Sequence, residues 1–215
     1  HIFISHFHWD HICGAPFFKP LYNPTNKVIF YSACDNMIEN LERQQHPAHF
    51  PISFKSLPAV KSFVKLDLQK TYQLAGFSIR SVDMRHPGGS TSYVFSKNGK
   101  KISYVTDTEF TPDNKAEKEL YYKACFEGSD ILILDSQYSL VEFFNKFEWG
   151  HTSSTMATNL ALEWRVKKLL LFHFDPEHTD EDLIKLLGEA NKIKDNYNKR
   201  RLSISLAVEG SSYSV

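Results

Sequence analysis

His6-Phe7-His8-Trp9-Asp10-His11 stands behind the short apolar run 1–4 and ahead of Ile12-Cys13-Gly14. Three histidines and a carboxylate at the end of a predicted strand gather the borderline nitrogen and oxygen donors that zinc or iron take, in a loop that can fold around an ion. In extended chain His6 and His8 project the same way, whereas Asp10 and His11 lie beyond the bend. Two of these side chains can serve one cation and two its neighbour, so the stretch predicts a metal site. Cys13 is expected to be a small buried thiol beside the loop rather than a ligand.

The frame around this stretch is that of one folded domain covering 1–215, with enough apolar content for a sizeable core. Lys+Arg and Asp+Glu number 25 each, so the formal net charge is zero and no global field draws the chain towards nucleic acid or anionic lipid. A small-molecule partner is expected, with nucleic acid not favoured. No apolar run approaches membrane-spanning length and no charged-then-apolar segment opens the chain. The three cysteines are far apart and odd in number, which argues against a disulfide framework and for the reducing cytoplasm.

Downstream, GAPFFKPLYNP suits a short helix and a loop, and Lys27–Ser32 a strand of β-branched and aromatic residues. A helix is predicted over 35–45, capped by Asp35, with Met37, Ile38 and Leu41 on its inner face. The prolines of HPAHFPISF forbid regular structure, which makes His46 and His49 residues of a surface loop and lets Phe50 and Phe54 wall a pocket. Strands follow over 60–66, 71–74 and 77–83, the last two turning at Ala75-Gly76. His86 then precedes Pro87-Gly88-Gly89, a segment able to bend tightly, and supplies the third imidazole that one zinc needs.

Strands over 92–95 and 101–105 form a hairpin about Lys97-Asn98-Gly99. The second ends in Thr106-Asp107-Thr108, where a carboxylate between two hydroxyls suits a bridge between two cations. A helix over 114–127 and the buried strand DILILD come next, the latter ending at Asp135, which reads equally as a partner of a ligand or as a strand-end polar group. In Gly150-His151-Thr152-Ser153-Ser154 a histidine sits at a helix N-terminus, where backbone N–H groups favour an anion. The buried strand 167–172 delivers His173 as the last ligand, whereas His178 is expected in a solvated turn. A helix over 180–191 and a strand over 202–208 close the chain.

The order SHFHWDHICG, HPGGSTSYVF, YVTDTE, ILILDSQY, WGHTSS and LLLFHFDPEH resembles the phosphodiesterase-like branch of the metallo-β-lactamase superfamily. The resemblance implies an α/β fold, an αββα sandwich with a dinuclear metal site along one edge. Carried over by position, His6, His8 and His86 would hold one ion, Asp10, His11 and His173 the other, and Asp107 would bridge. Zinc is the expected metal, with manganese or iron as alternatives for the same His/Asp set. His151 would match the histidine that these hydrolases direct at the phosphate or the leaving group, and Asp10 would also orient the attacking oxygen of a shared, activated water.

The ribonuclease Z group commonly carries a long tRNA-binding arm between the ligands matched by His86 and Asp107. This chain has only a hairpin there, which resembles instead the small-substrate group that includes the phosphoribosyl cyclic phosphodiesterase. Relatives also place several strands ahead of the first motif. The expectation is therefore that N-terminal strands of the first sheet lie upstream of His1, with the open edge covered by upstream residues or by a second copy in a homodimer. The expected function is hydrolysis of a small phosphodiester, cyclic ones included. Ester, lactone or thioester hydrolysis at the same metals is the alternative, and a non-catalytic regulatory module the third.

Overall fold

The computed structural model of the chain describes residues 1–110, 115–197 and 201–215. It divides into two compact units, His1–Lys70 and Thr71–Val215. Among the described residues no helix is long and apolar enough to cross a membrane.

The first unit holds a three-stranded parallel sheet, β1 (Ile2–Phe3), β2 (Lys27–Ser32) and β3 (Val60–Lys65), with β2 in the middle. KVIFYS is apolar along most of its length because a central parallel strand is covered on both faces. Phe30 anchors the core, stacked on Phe63 and edge-on to Phe54. Phe54 is thus core rather than a pocket wall; the hollow in this unit, about 320 Å³, is lined by residues including Ile2, Ile4, Ile12, Phe18 and Leu21. A single helical turn, α1 (Trp9–Ile12), follows β1, and α2 (Met37–Gln44) follows β2.

Two expectations for α2 fail. Asn36, in the left-handed region at φ 56°, occupies the N-cap position without a side-chain cap, and Asp35 pairs with Lys65 instead. Met37 and Leu41 are buried as expected, but Ile38 is exposed, since the helix is short and turns only a narrow stripe inward.

The second unit is built on a seven-stranded sheet. Its strands are β4 (Thr71–Leu74), β5 (Phe77–Met84), β6 (Ser90–Lys97), β7 (Lys100–Val105), β8 (Ile131–Asp135), β9 (Lys168–Phe172) and β10 (Ser203–Leu206), which lie in the reverse of chain order across the sheet. β4 to β7 form an antiparallel meander, and β7 to β10 run parallel. Two-residue turns with both φ positive, Ala75-Gly76 and Asn98-Gly99, make the hairpins, because that twist matches the strands.

Helices α3 (Lys115–Phe126), α4 (Leu140–Asn145), α5 (Ser154–Glu163) and α6 (Asp180–Asn196) supply the crossovers. The predicted helix start at Asn114 lies outside the described residues. α6 continues five residues past its predicted end at 191, opened by a Thr179–Asp182 capping box. α4 went unpredicted because its apolar residues show no helical period; its sign was the Ser139–Glu142 capping box. Trp164 is fully buried after α5, against Phe110 and Phe126.

One carboxylate fastens the far end of the parallel strands. Asp130 accepts from the Lys101 N–H at 2.9 Å and the Lys167 ammonium at 2.7 Å, joining the starts of β7, β8 and β9. The Lys167 hydrogen bond holds its carboxyl below the ordinary 3.8, against burial and aided by the Lys101 N–H and the charges of Lys167 and Lys100. A depressed folded-state pKa stabilises above the unfolded value and ceases to as pH falls through the folded one. Asp130→Asn should therefore cost about 1–3 kcal/mol at neutral pH. Urea titrations of both proteins should converge as pH drops below about 4; a constant difference would exclude the charge as the cause.

Candidate active site

Strand register places the second unit's candidate site residues together. Val105, Leu134 and Leu171 are aligned neighbours on β7, β8 and β9, so the residues just beyond them meet at the carboxyl ends of the parallel strands. Asp107 follows β7, Asp135 ends β8, and His173 follows β9. His86 joins them from the β5–β6 loop, which opens at the same end because β6 is antiparallel to β7.

Asp107 faces an imidazole with each oxygen, Oδ2 lying 3.6 Å from His86 Nε2 and Oδ1 3.3 Å from His173 Nε2. This is how a carboxylate bridging two cations, each with its own histidine, would be set. Asp107 and His173 hold positive φ, 45° and 62°, in a region costly for residues with a Cβ and frequent at functional sites. Of the two flanking hydroxyls expected to orient Asp107, only Thr106 does so, donating to Oδ1 at 2.5 Å. Thr108 instead turns its backbone N–H to Asp135.

The Gly150 carbonyl lies 2.9 Å from His86 Nδ1. A carbonyl only accepts, so Nδ1 carries the proton and Nε2 presents a lone pair towards Asp107. The donor set thus fits a divalent cation.

Asp135, which the sequence leaves open, is set opposite His151. It is fully buried and accepts four hydrogen bonds: at Oδ2 from His151 Nδ1 (2.9 Å) and Thr108 N–H (3.1 Å), at Oδ1 from Gln137 and Thr152 N–H (3.1 and 3.3 Å). Asp135, His151 and His173 are close enough to form a metal-ligand trio. With both oxygens of Asp135 already engaged, the group reads better as a carboxylate orienting a histidine. His151 ring-stacks on His173 at 5.0 Å.

In the first unit, Ser5 Oγ lies 3.1 Å from His6 Nδ1 and 3.5 Å from His11 Nδ1, so one hydroxyl orients two rings by the nitrogens that would not bind metal. The His6 ring lies edge-on to His8 at 4.5 Å and 4.2 Å from His11, closer to His11 than the sequence-based split suggested, because α1 folds His11 back. His11 Nε2 is 3.0 Å from Asp10 Oδ2. Cys13 is exposed rather than buried and stays outside this set.

His46 and His49 are exposed, as expected of a surface loop. His178, expected in water, pairs with Glu142 Oε1 at 2.9 Å and has a nearly buried side chain, because α4 packs there. Nearby, Asp175 accepts from Lys146 at 2.6 Å, a second tie between the α4 segment and the chain after β9. Sequence reasoning missed Ser5 and Glu109; a serine beside a histidine cluster was a usable sign for the first.

A family model described as beta-lactamase superfamily domain matches residues 1–174. Ribonuclease Z of Treponema denticola is 29% identical over 136 residues, which cover 62% of this chain but only 39% of that protein. Ribonuclease Z of Prochlorococcus marinus is 25% identical over 256 aligned positions, covering 91% of this chain and 78% of that one. Among solved structures, the metallo-β-lactamase fold protein YhfI of Bacillus subtilis superposes with a TM-score of 0.69 at 18% identity, over 97% of this chain and 74% of its own. With that family match over most of its length, and with histidines and aspartates set at its strand ends, the chain belongs to the metallo-β-lactamase superfamily.

Proposed function

We propose that residues 1–215 act as one domain, a dinuclear metal-dependent phosphodiesterase. His6, His8 and His86 would hold one divalent cation and Asp10, His11 and His173 the other, with Asp107 as the carboxylate shared between them, an assignment resting on motif order shared with the superfamily. The observation that carries it is Asp107, with one oxygen towards His86 and the other towards His173. Bound cations, zinc being suited to this His/Asp set, would supply Lewis-acid activation of water and of the phosphoryl oxygens.

The chain's own residues do the rest. His151 in its imidazolium form, with Nδ1–H held by the Asp135 carboxylate, gives its Nε2 proton to a phosphate oxygen or the leaving group and is left as neutral imidazole with the proton on Nδ1. Asp10, exposed beside His11, orients the attacking water. A small phosphodiester is the preferred substrate, because only a hairpin with a two-residue turn lies between His86 and Asp107. The relatives' name, ribonuclease Z, makes RNA the rival substrate.

Elemental analysis should give about two divalent ions per chain. Turnover of bis(p-nitrophenyl) phosphate and of a cyclic nucleotide should exceed that of a lactone panel and of a structured RNA. Full turnover of the metal-free protein would end the mechanism. Preference for a lactone would transfer the site to carbonyl chemistry, preference for the RNA would displace the small substrate, and metal binding without any turnover would leave a regulatory module.

A further inference from the structure

Glu109 is a buried carboxylate that the proposed reaction does not use. Its Oε1 accepts from the Glu148 N–H at 3.1 Å and its Oε2 from the Gly150 N–H at 3.0 Å. Glu148 and Gly150 both hold positive φ, 68° and 90°, and alternate N–H groups of such a turn converge on an anion. A buried charge is costly unless its hydrogen-bonding capacity is met, and here the turn between α4 and α5 meets it.

The same short segment reaches both kinds of functional residue in this unit. The carbonyl of Gly150 receives the His86 Nδ1 proton, and the next residue is His151, held by Asp135. The Glu109 N–H donates to Arg85 O at 2.9 Å, which ties the residue to the chain just ahead of His86. Glu109 therefore joins three segments that are distant in sequence: 85–86, 107–109 and 148–151.

We propose that Glu109 is a positioning residue, whose carboxylate fixes the Glu148–Gly150 turn and thereby the tautomer of His86 and the placement of His151. The inference rests on the assignment of those two histidines above. A carboxylate is needed because two donors arrive on two separate oxygens. Glutamine keeps the shape but sets its NH₂ against one of the N–H groups.

The test uses Glu109→Gln with readouts that do not depend on turnover. Long-range ¹H–¹⁵N spectra of the metal-free native protein should show His86 protonated at Nδ1, and those of the variant a mixture of tautomers. Zinc affinity, measured against a competing chelator, should fall about 10- to 100-fold, the usual effect of losing a ligand's outer partner, and kcat should fall similarly with KM little changed. A variant with lower melting temperature but native tautomer, zinc affinity and kcat overturns the proposal and makes Glu109 a stabilising residue only.

If Glu109→Gln does not fold, amide exchange in the native protein decides. Protected Glu148 and Gly150 amides support the clamp, and exchange as fast as exposed amides overturns it. Native protein that hydrolyses no phosphodiester yet shows the tautomer and zinc changes on substitution supports the placement of Glu109 and overturns the reaction assigned above.

Discussion

His151→Ala lowers kcat by on the order of 10²- to 10⁴-fold, the usual reach of general acid–base catalysis, while metal content and fold stay near normal. That loss corresponds to about 3–5.5 kcal/mol of transition-state stabilisation. The separation follows from the geometry, since His151 is anchored through Nδ1 to Asp135 and is not among the seven assigned ligands. The loss should shrink with a nitrophenolate leaving group, which departs without a proton, and be largest with an alkoxide. Asp135→Asn should reproduce part of the effect, because a neutral amide does not stabilise the imidazolium that donation from Nε2 requires. Equal losses for good and poor leaving groups would reject the acid role and leave phosphate positioning. No loss with any phosphodiester would remove His151 from the site.

Gly150→Ala has the other large effect, on stability and on the site together. An added Cβ would lie 2.3 Å from Pro87 Cδ and 2.5 Å from His86 Nδ1, and the residue holds φ +90°. Left-handed backbone costs a residue with a Cβ about 1–2 kcal/mol, and forcing atoms into filled space about 1–3 kcal/mol more. The variant should lose about 2–5 kcal/mol, a fall in Tm of roughly 4–20 °C for a chain of this size. Displacing the Gly150 carbonyl also removes the acceptor of His86 Nδ1, so zinc affinity should fall as well.

Gly89→Ala is the control. Gly89 has φ +83° but nothing within 4 Å of an added Cβ, so only the backbone cost should appear. Equal losses in the two variants would show that packing against His86 and Pro87 contributes nothing.

Most of what is local in this protein could be read from its sequence. The H-x-H-x-D-H loop pointed to a metal site because donor side chains that dense seldom arise for packing, and the structure does bring the rings of His6, His8 and His11 together. The apolar runs KVIFYS, ILILD and KLLLF marked strands, the last two of them buried, and Asn98-Gly99 marked a hairpin, since few residue pairs take two positive φ angles in succession. Where signals compete over one or two residues, as at Asp35 and Asn36, the local reading failed. It also failed at His178, whose environment is made by a helix with no period of its own.

Partnership across long separations belonged to the tertiary structure. Asp135 and His151 are 16 residues apart, His86 and Gly150 are 64, and Glu109 and Gly150 are 41. No spacing rule links such positions, because their meeting depends on the register of β7, β8 and β9, which brings the ends of three strands to one level. The residue types thus determined which chemistry was available, by donor character and charge. The tertiary structure decided that Nδ1 carries the proton in His86 and His151, because that follows from the oxygen the fold sets opposite each ring.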